Sequence, residues 1–161
     1  MSKFKEPYVI LLIGPPLSGK TTWIRNNFEE GTYKLISRDE IVMDVHGTKD
    51  YDTAFNEVDQ KLVDKLLIDK LTSYSKSGEN VIIDMTHMTS KRRKYNLSFF
   101  SGEYTKYAVI FPMLSSEEYE LRNSKRSKEE NKSISMHVIK NMISSYQTIK
   151  DDEGFDKIIT I

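Results

Sequence analysis

The chain has 161 residues, no cysteine, and 24 basic against 24 acidic side chains. This length suits one folded domain over residues 1–161. The lack of cysteine excludes disulfide bonds and thiolate metal sites. The balanced charge excludes a general attraction to nucleic acid, so a nucleic-acid substrate would need a local basic groove. The apolar run from Tyr8 to Ile13 is too short for a signal peptide or a membrane span, and we expect a cytoplasmic protein with no membrane partner.

Strands and helices are predicted to alternate along the chain. In order, the spacing of apolar residues predicts strand 8–13, helix 19–29, strand 33–37, helix 39–45, helix 53–76, strand 81–84, helix 90–100, strand 107–111, helix 115–128, helix 134–149 and strand 157–161. Gly78 is placed to end the long helix, and Ser115 with Glu118 forms a capping box. Continuous apolar strands are typical of parallel sheets. The order predicts a three-layer α/β fold with a mostly parallel sheet of about five strands and ligands at the carboxyl ends of the strands.

The segment after the first strand matches the phosphate-binding P-loop pattern of one glycine, four residues and Gly-Lys-Thr. In such a loop the backbone N–H groups point inward, and the next helix presents its positive N-terminal end to the phosphates. Lys20 is expected at the β- and γ-phosphates and the hydroxyl of Thr21 at Mg²⁺. Leu17 stands where many P-loops have glycine. A chance match is the alternative, but the flanking strand and helix favour a nucleotide site at Gly14, Pro15, Pro16, Leu17, Ser18, Gly19, Lys20, Thr21 and Thr22.

Two aspartates follow predicted strands and are candidates for chemistry. Asp84 ends an apolar strand, where a carboxylate beside a P-loop orients Mg²⁺ through water; the alternative is a turn residue. Asp39 follows the second strand, across the expected cleft from the phosphates. A carboxylate there would take the proton of an attacking hydroxyl, and the alternative is a helix N-cap. The three histidines, His46, His87 and His137, show no metal-ligand spacing and are expected to be ordinary surface or partly buried residues, with His87 alone placed near the cleft.

Two groups of basic residues are candidate anion contacts. Arg122 and Arg126 lie four apart and therefore share one face of a predicted helix. They suit the stabilisation of phosphoryl charge, or else they form a solvated face paired with Glu118 or Glu129. The string from Lys91 to Lys94 follows the third strand and could hold the backbone phosphates of an acceptor, although such strings are usually only solvated.

Four blocks of sequence occur together in one order: GPPLSGKTTW at 14–23, ISRD at 36–39, VIIDMT at 81–86 followed by Arg92 and Arg93, and RNSKR at 122–126. In this combination the chain resembles the kinase domain of phage-type 5′-hydroxyl polynucleotide kinases, over residues 8 to about 146. The resemblance implies a P-loop kinase fold that uses ATP and Mg²⁺ to phosphorylate the 5′-OH end of RNA or DNA. It also implies the cytoplasm of a host cell, if the protein is encoded by a phage.

The resemblance also implies roles for individual residues. Lys20 and Thr21 match the ligands of the phosphates and the metal, and Asp84 the metal-orienting carboxylate. Asp39 matches the general base, and Arg126 matches a lid arginine that stabilises the transferring group. Further nucleotide and acceptor contacts are implied at Arg122, and at Arg38, Thr86, Arg92 and Arg93.

Three departures from the family bear on the acceptor. Val42 replaces the usual arginine three residues after the base. The strand-end aspartate is Asp84, where the best-known phage enzyme has it one place later, at the position of Met85. Many relatives carry a C-terminal phosphatase domain, which we do not expect in this chain. We therefore expect it to phosphorylate 5′ ends without repairing 3′ ends.

Three functions remain open on the sequence. The first is a polynucleotide 5′-kinase, favoured by the two basic groups. The second is a kinase of a nucleoside, sugar or other small hydroxylated molecule, favoured by the neutral charge and by Val42. The third is a nucleotide-dependent switch without an acceptor, which Asp39 disfavours. No guanine-reading motif is present, so ATP is the expected donor.

Overall fold

A computed structural model describes residues 3–47, 51–130 and 134–161. Its strands are β1 (Tyr8–Ile13), β2 (Lys34–Ser37), β3 (Val81–Asp84), β4 (Thr105–Ile110) and β5 (Lys157–Thr160). Its helices are α1 (Lys20–Asn27), α2 (Arg38–His46), α3 (Tyr51–Glu57), α4 (Gln60–Lys76), α5 (Ser90–Leu97), α6 (Ser116–Glu130) and α7 (Met136–Ser144). A 3₁₀ turn occupies Asp151–Glu153. No helix within these ranges is long and apolar enough to cross a membrane.

The five strands of the described chain form one parallel sheet in the order β2-β3-β1-β4-β5. Every residue of β1 is buried, as its uninterrupted apolar sequence predicted. Helices cover both faces, and the predicted three-layer α/β fold is confirmed. Because all strands are parallel, β1, β2 and β3 end at the same edge of the sheet, and the segments that follow them meet there.

Two apolar clusters hold the layers together, one on each face of the sheet. On one face, alternate residues of the strands pack under α2 and α4 with members that include Leu11, Val42, Leu67 and Ile83. On the other face, Leu12 and its neighbours pack against α1 and an aromatic group, which consists of Phe4, Tyr8, Trp23, Phe28, Tyr107 and Phe111. The alternation places odd residues of β1 on one face and even residues on the other, the period of two expected of a strand.

Two helix predictions differ from the structure. The helix predicted at 53–76 is divided into α3 and α4, because the side chain of Asp59 accepts the N–H of Lys61 and begins a new helix. The helix predicted at 134–149 ends at Ser144, since the chain after it turns to hydrogen bond with the segment that follows β3. Gly78, with φ of 69°, follows the end of α4 as predicted.

Candidate active site

The loop between β1 and α1 has the backbone geometry of an anion cradle. A Cβ on Gly14 would lie 2.7 Å from the Oγ of Ser18 and 3.0 Å from the Cβ of Phe111, so only glycine fits. Gly19 adopts φ of 97° and directly precedes α1. Leu17 also has a left-handed φ, of 69°, a conformation that glycine adopts without strain and leucine does not. The backbone at Leu17 therefore keeps the bend of a glycine-containing loop.

The polar groups of this loop are arranged for phosphate. The ammonium of Lys20 donates to the carbonyl of Gly14 at 2.8 Å, which folds the lysine back across the loop. No side chain caps the amino end of α1, and the buried hydroxyl of Ser18 has no hydrogen-bond partner in the described chain. N–H groups, a lysine and a hydroxyl in one concave turn fit the oxygens of a nucleoside triphosphate.

The segment after β3 supports the loop from below. The carbonyl of Thr86 accepts the N–H of Gly14 at 3.0 Å. The next residue, His87, is fully buried with φ of 50°. Its Nδ1 lies 2.6 Å from the carbonyl of Leu12, and its Nε2 lies 2.9 Å from the amide nitrogen of Asn96. A carbonyl only accepts and an amide NH₂ only donates, so the ring is neutral with its proton on Nδ1.

The interpretation of His87 as a surface or partly buried histidine is therefore wrong. The pKa of this imidazole is lowered to about 3, mainly by burial and also by the positive charges of Lys20 and Arg93, whereas hydrogen bonds with the backbone of Leu12 and Met85 oppose the shift. His87 is a neutral strut beneath the phosphate loop. A buried histidine beside a glycine-rich loop has no distinctive sequence signal, because its partners lie 75 and 9 residues away.

Carboxylates converge at the ends of β2 and β3. Asp84 pairs in register with Ser37, the last residue of β2, and Asp39 lies two residues later in the first turn of α2. The oxygen of Ser37 accepts the N–H of Glu40 and caps the helix. The alternative interpretation of Asp39 as the N-cap is therefore wrong.

Glu40 is a third carboxylate at this edge and was missed in the sequence. Burial raises its pKa, and the negative charges of Asp44, Asp84 and Asp39 raise it further against the opposing charge of Lys70. This mutual repulsion shows that the carboxylates share one electrostatic environment. The acidic pair Asp39-Glu40 at the start of a helix was the available signal, since acids are favoured in a first turn.

The donor set of this edge fits Mg²⁺ better than a softer metal. Thr21 in α1 supplies a hydroxyl, and Asp84 at the end of β3 supplies a carboxylate. Within the described residues there is no group of three or more His, Cys, Asp or Glu that could hold an ion by itself. Magnesium is usually bound by one or two protein oxygens together with substrate phosphates and water, so these two residues would hold it when a nucleotide is present.

Helix α6 reaches the phosphate loop through Arg122. Its Nη1 donates to the carbonyl of Leu17 at 2.8 Å, and its Nε donates to Glu118 at 2.7 Å. The predicted pairing of Arg122 with Glu118 is confirmed, and Arg122 also touches the loop, while its contact with a nucleotide stays a prediction. Arg126 is half-buried one turn later on the same helix. Ser115 caps α6 through the N–H of Glu118, as predicted, whereas the side chain of Glu118 binds Arg122 and does not complete a capping box.

The basic string on α5 is divided between the interior and the surface. Arg93 is completely buried, and its guanidinium binds the carboxylate of Glu153 at 2.6 and 3.1 Å. The expectation that Arg93 holds the acceptor is contradicted, because its side chain has no exposed surface. Lys94 pairs with Asp152 at 3.4 Å. Arg92 lies on the opposite flank of the helix, with its guanidinium carbon 5.8 Å from the ring of Tyr95.

The remaining acceptor candidates are Arg38, at the start of α2, and Thr86, which follows β3. Arg38 donates to Gln60 at 2.8 Å and to Asp64 at 3.0 Å, which ties it to α4. Val42 is fully buried in the apolar cluster under α2, so the position where the resembling kinases have an arginine is part of the core here. Thr86 contributes its backbone carbonyl to the phosphate loop.

Most of the chain matches the model of one protein family. The family model described as "AAA domain" matches residues 9–149. A chain in a structure of the Pnkp1/Rnl/Hen1 RNA repair complex is similar with a TM-score of 0.69 and 22% identity, over 87% of this chain and 44% of that one. The present chain thus spans less than half the length of that relative.

Two further solved structures cover nearly the whole chain. A kinase-like protein from Chloroflexus aurantiacus has a TM-score of 0.63 and 18% identity, over 98% of this chain and 85% of that one. A gluconokinase from Sinorhizobium meliloti has a TM-score of 0.55 and 12% identity, over 98% and 83%. Identities this low establish a shared fold. The match over residues 9–149 establishes that the chain belongs to the AAA domain family, with the three-layer fold of P-loop kinases.

Proposed function

We propose that this protein transfers the γ-phosphoryl group of ATP to the 5′-hydroxyl end of RNA or DNA. The observation that carries the proposal is the position of Asp39. It follows β2 at the edge where the phosphate loop begins, beside Asp84, and Ser37 has already taken the N-cap of α2. A carboxylate in that place would accept the proton of an attacking hydroxyl. A nucleotide-dependent switch has no acceptor hydroxyl and would not need this carboxylate.

In the proposed reaction, Asp39 acts on the acceptor hydroxyl, and the phosphate loop with Arg126 acts on the nucleotide. The carboxylate of Asp39 accepts the proton of the 5′-hydroxyl as its oxygen forms a bond to the γ-phosphorus. The bond from that phosphorus to the bridging oxygen breaks, and ADP leaves. Lys20, the loop N–H groups and Arg126 stabilise the charge that develops on the transferring group. Mg²⁺, held by Thr21 and Asp84, would neutralise phosphate charge and orient the nucleotide.

A polynucleotide acceptor is supported by the exposed flank of α5. Lys94 and the buried Arg93 face the 3₁₀ turn, so Arg92 and Tyr95 occupy the other side of the helix. Tyr95 is 42% exposed and contacts Phe99, which packs on the cluster shared with α4. This flank is thus on the same face of the sheet as α2 and α4. A guanidinium beside an exposed aromatic ring suits a phosphodiester and a base.

A small hydroxylated acceptor is the second candidate, and two observations favour it. Val42 is buried and Arg38 is engaged with α4, so α2 presents fewer cations to an acceptor phosphate than in the resembling kinases. The fold is also shared with a gluconokinase. A panel of 5′-OH RNA, 5′-OH DNA, nucleosides and gluconate, each with γ-labelled ATP and Mg²⁺, separates the two candidates.

The test of the mechanism is the substitution Asp39→Asn, which keeps the shape of the side chain and removes the proton acceptor. Loss of general-base catalysis should reduce label transfer to a 5′-OH oligonucleotide by about 10²–10⁴-fold, with ATP affinity maintained. The matched control is Asp59→Asn, because Asp59 is a true N-cap and asparagine caps equally well. Near-normal transfer by Asp39→Asn would remove the general base and with it the proposed hydroxyl kinase.

A further inference from the structure

The chain that leaves α7 is fastened to the segment that follows β3. The N–H of Gln147 donates to the carbonyl of Met88 at 2.8 Å, and its side-chain oxygen accepts the N–H of Ser90 at 2.9 Å. The carbonyl of Gln147 accepts a third hydrogen bond, at 2.7 Å, from Nη2 of Arg93. These three bonds fix the base of the unit formed by α6 and α7, here called the α6–α7 arm.

One guanidinium joins this base to two other segments. Arg93 donates from Nη1 to the carbonyl of His87 at 2.9 Å, and from Nε and Nη2 to Glu153 at 2.6 and 3.1 Å. Its side chain has no exposed surface. Burial alone would raise the pKa of Glu153, but hydrogen bonds from Arg93 and from the N–H of Lys150 hold that pKa below its usual value. The pair is therefore ionised and keeps its charge-assisted geometry.

His87 connects Arg93 to the strand and segment that flank the phosphate loop. Its ring donates to Leu12 in β1, and the carbonyl of the preceding Thr86 accepts the N–H of Gly14. At its other end the α6–α7 arm touches the same loop, where Arg122 donates to Leu17 at 2.8 Å. The arm and the loop thus meet twice, once through Arg122 and once through Arg93 and His87.

We propose that Arg93 is a positioning residue for phosphoryl transfer. It holds the base of the α6–α7 arm in fixed relation to the segment under the phosphate loop, so that the arginines of α6 meet the phosphates in register. The inference rests on the proposed function only in that the loop binds a nucleotide, and it does not depend on the acceptor. The planar guanidinium is essential to it, because a lysine ammonium cannot reach two carbonyls and both oxygens of a carboxylate in fixed directions.

The experiment compares Arg93→Lys with Tyr104→Phe. Tyr104 precedes β4 at the opposite edge of the sheet, and its hydroxyl is positioned to donate to the carbonyls of Tyr74 and Glu79 at 3.2 and 2.7 Å. Both variants lose buried hydrogen bonds, but only one lies beneath the loop. At a temperature where both are fully folded, Arg93→Lys should lose turnover by about 10–100-fold, the effect of a displacement of roughly 1 Å. Tyr104→Phe should stay within twofold of wild type, and the KM for the acceptor should stay constant in both.

Amide hydrogen exchange provides a readout that does not need the reaction. Exchange at Gly14, whose N–H donates to the carbonyl of Thr86 beneath the loop, should accelerate at least tenfold in Arg93→Lys and remain unchanged in Tyr104→Phe. Gln147→Ala removes only the bond to Ser90 and should give a smaller change in the same direction, which keeps the proposal testable if Arg93→Lys does not fold. Unchanged exchange and turnover in the Arg93 and Gln147 variants, or equal losses in Tyr104→Phe, would overturn the positioning role. A wild-type protein that phosphorylates no 5′-OH end would refute the proposed function, while the exchange result would still decide the role of Arg93.

Discussion

Arg93 on α5 and Arg122 on α6 both lie in short basic stretches of sequence, but one is buried and the other is partly exposed. The α5 arginine with the most partners, Arg93, is entirely buried and binds a carboxylate 60 residues away. On α6, Arg122 is 40% exposed and pairs within its own helix, yet it also touches the phosphate loop. Of these two arginines near the phosphate loop, one is buried and joins segments beneath the loop, and the other reaches the loop from the protein surface. Helical position decides between the two, and charge alone does not.

Glu153→Gln should give the largest effect, because it leaves the guanidinium of Arg93 buried without its counter-charge. Breaking such a pair costs about 3–5 kcal/mol of unfolding free energy. The same substitution in the α6 pair, Glu118→Gln, removes an exposed contact worth roughly 0.3–0.5 kcal/mol. Urea unfolding of the two variants measures both. Equal costs would mean that the buried and the exposed arginine pairs contribute alike to the stability of the fold.

Arg126→Ala should have the opposite profile, with a large effect on the reaction and a small one on stability. Loss of a charge that acts in the transition state lowers turnover by about 10²–10³-fold, while ATP affinity changes little. Its neighbour Lys125 is exposed, so Lys125→Ala removes the same charge as a control. If ATP binding falls and turnover at saturation survives, Arg126 grips the nucleotide in the ground state.

The pH dependence of the unfolding free energy tests whether His87 is buried in its neutral form. In the unfolded chain the pKa of His87 is 6.5, and in the folded protein it is about 3. Below pH 6.5 the unfolded state therefore binds a proton that the folded state does not, and stability is lost as pH falls towards 3. The slope reaches about 1.4 kcal/mol per pH unit.

The difference between wild type and a His87 variant, measured between pH 7 and 5, isolates the contribution of His87, because the other titrating groups are common to both proteins. The stabilisation from Glu153, whose pKa is lowered from 4.5, is lost mainly at lower pH. His87→Asn should flatten the curve, and asparagine tolerates the left-handed backbone at this position. A variant with the same slope as wild type would show that the imidazole is not the neutral strut described above.

Arg92→Ala should give the smallest effect. If the exposed flank of α5 holds one backbone phosphate, the KM for an oligonucleotide rises about fivefold and the dependence on salt weakens by roughly one charge. The KM for ATP should not change. Lys157→Ala, an exposed cation on β5, controls for net charge. Equal effects from the two substitutions would mean that the flank is only a solvated surface.

The sequence predicted those parts of the molecule that depend on local pattern. The bounds of β1 and β3 match the apolar runs, and the phosphate loop lies between a strand and a helix as its motif requires. The division between α3 and α4 was missed, although Asp59 followed by helix-forming residues was a readable N-cap signal.

Long-range pairs could not be predicted, because one sequence carries no information on which distant residues meet. The contact between Arg93 and Glu153 spans 60 residues. One local clue was present, however. Arg93 shares a helix face with Asn96 and Leu97, three and four residues later, which is the spacing of a buried stripe, and this spacing favoured the interior over an acceptor.

The position of β1 in the middle of the sheet sets the order in which the site is completed during synthesis. The first strand made has no partner until β3 emerges, and its other neighbour pairs Tyr8 with Thr105. The phosphate loop is therefore translated long before the sheet that supports it. The last connection beneath it waits for Glu153. Parallel pairing over such separations is slow, so the apolar segment Tyr8–Ile13 stays unpaired at least until β3 has been made, and during this time it is exposed to aggregation.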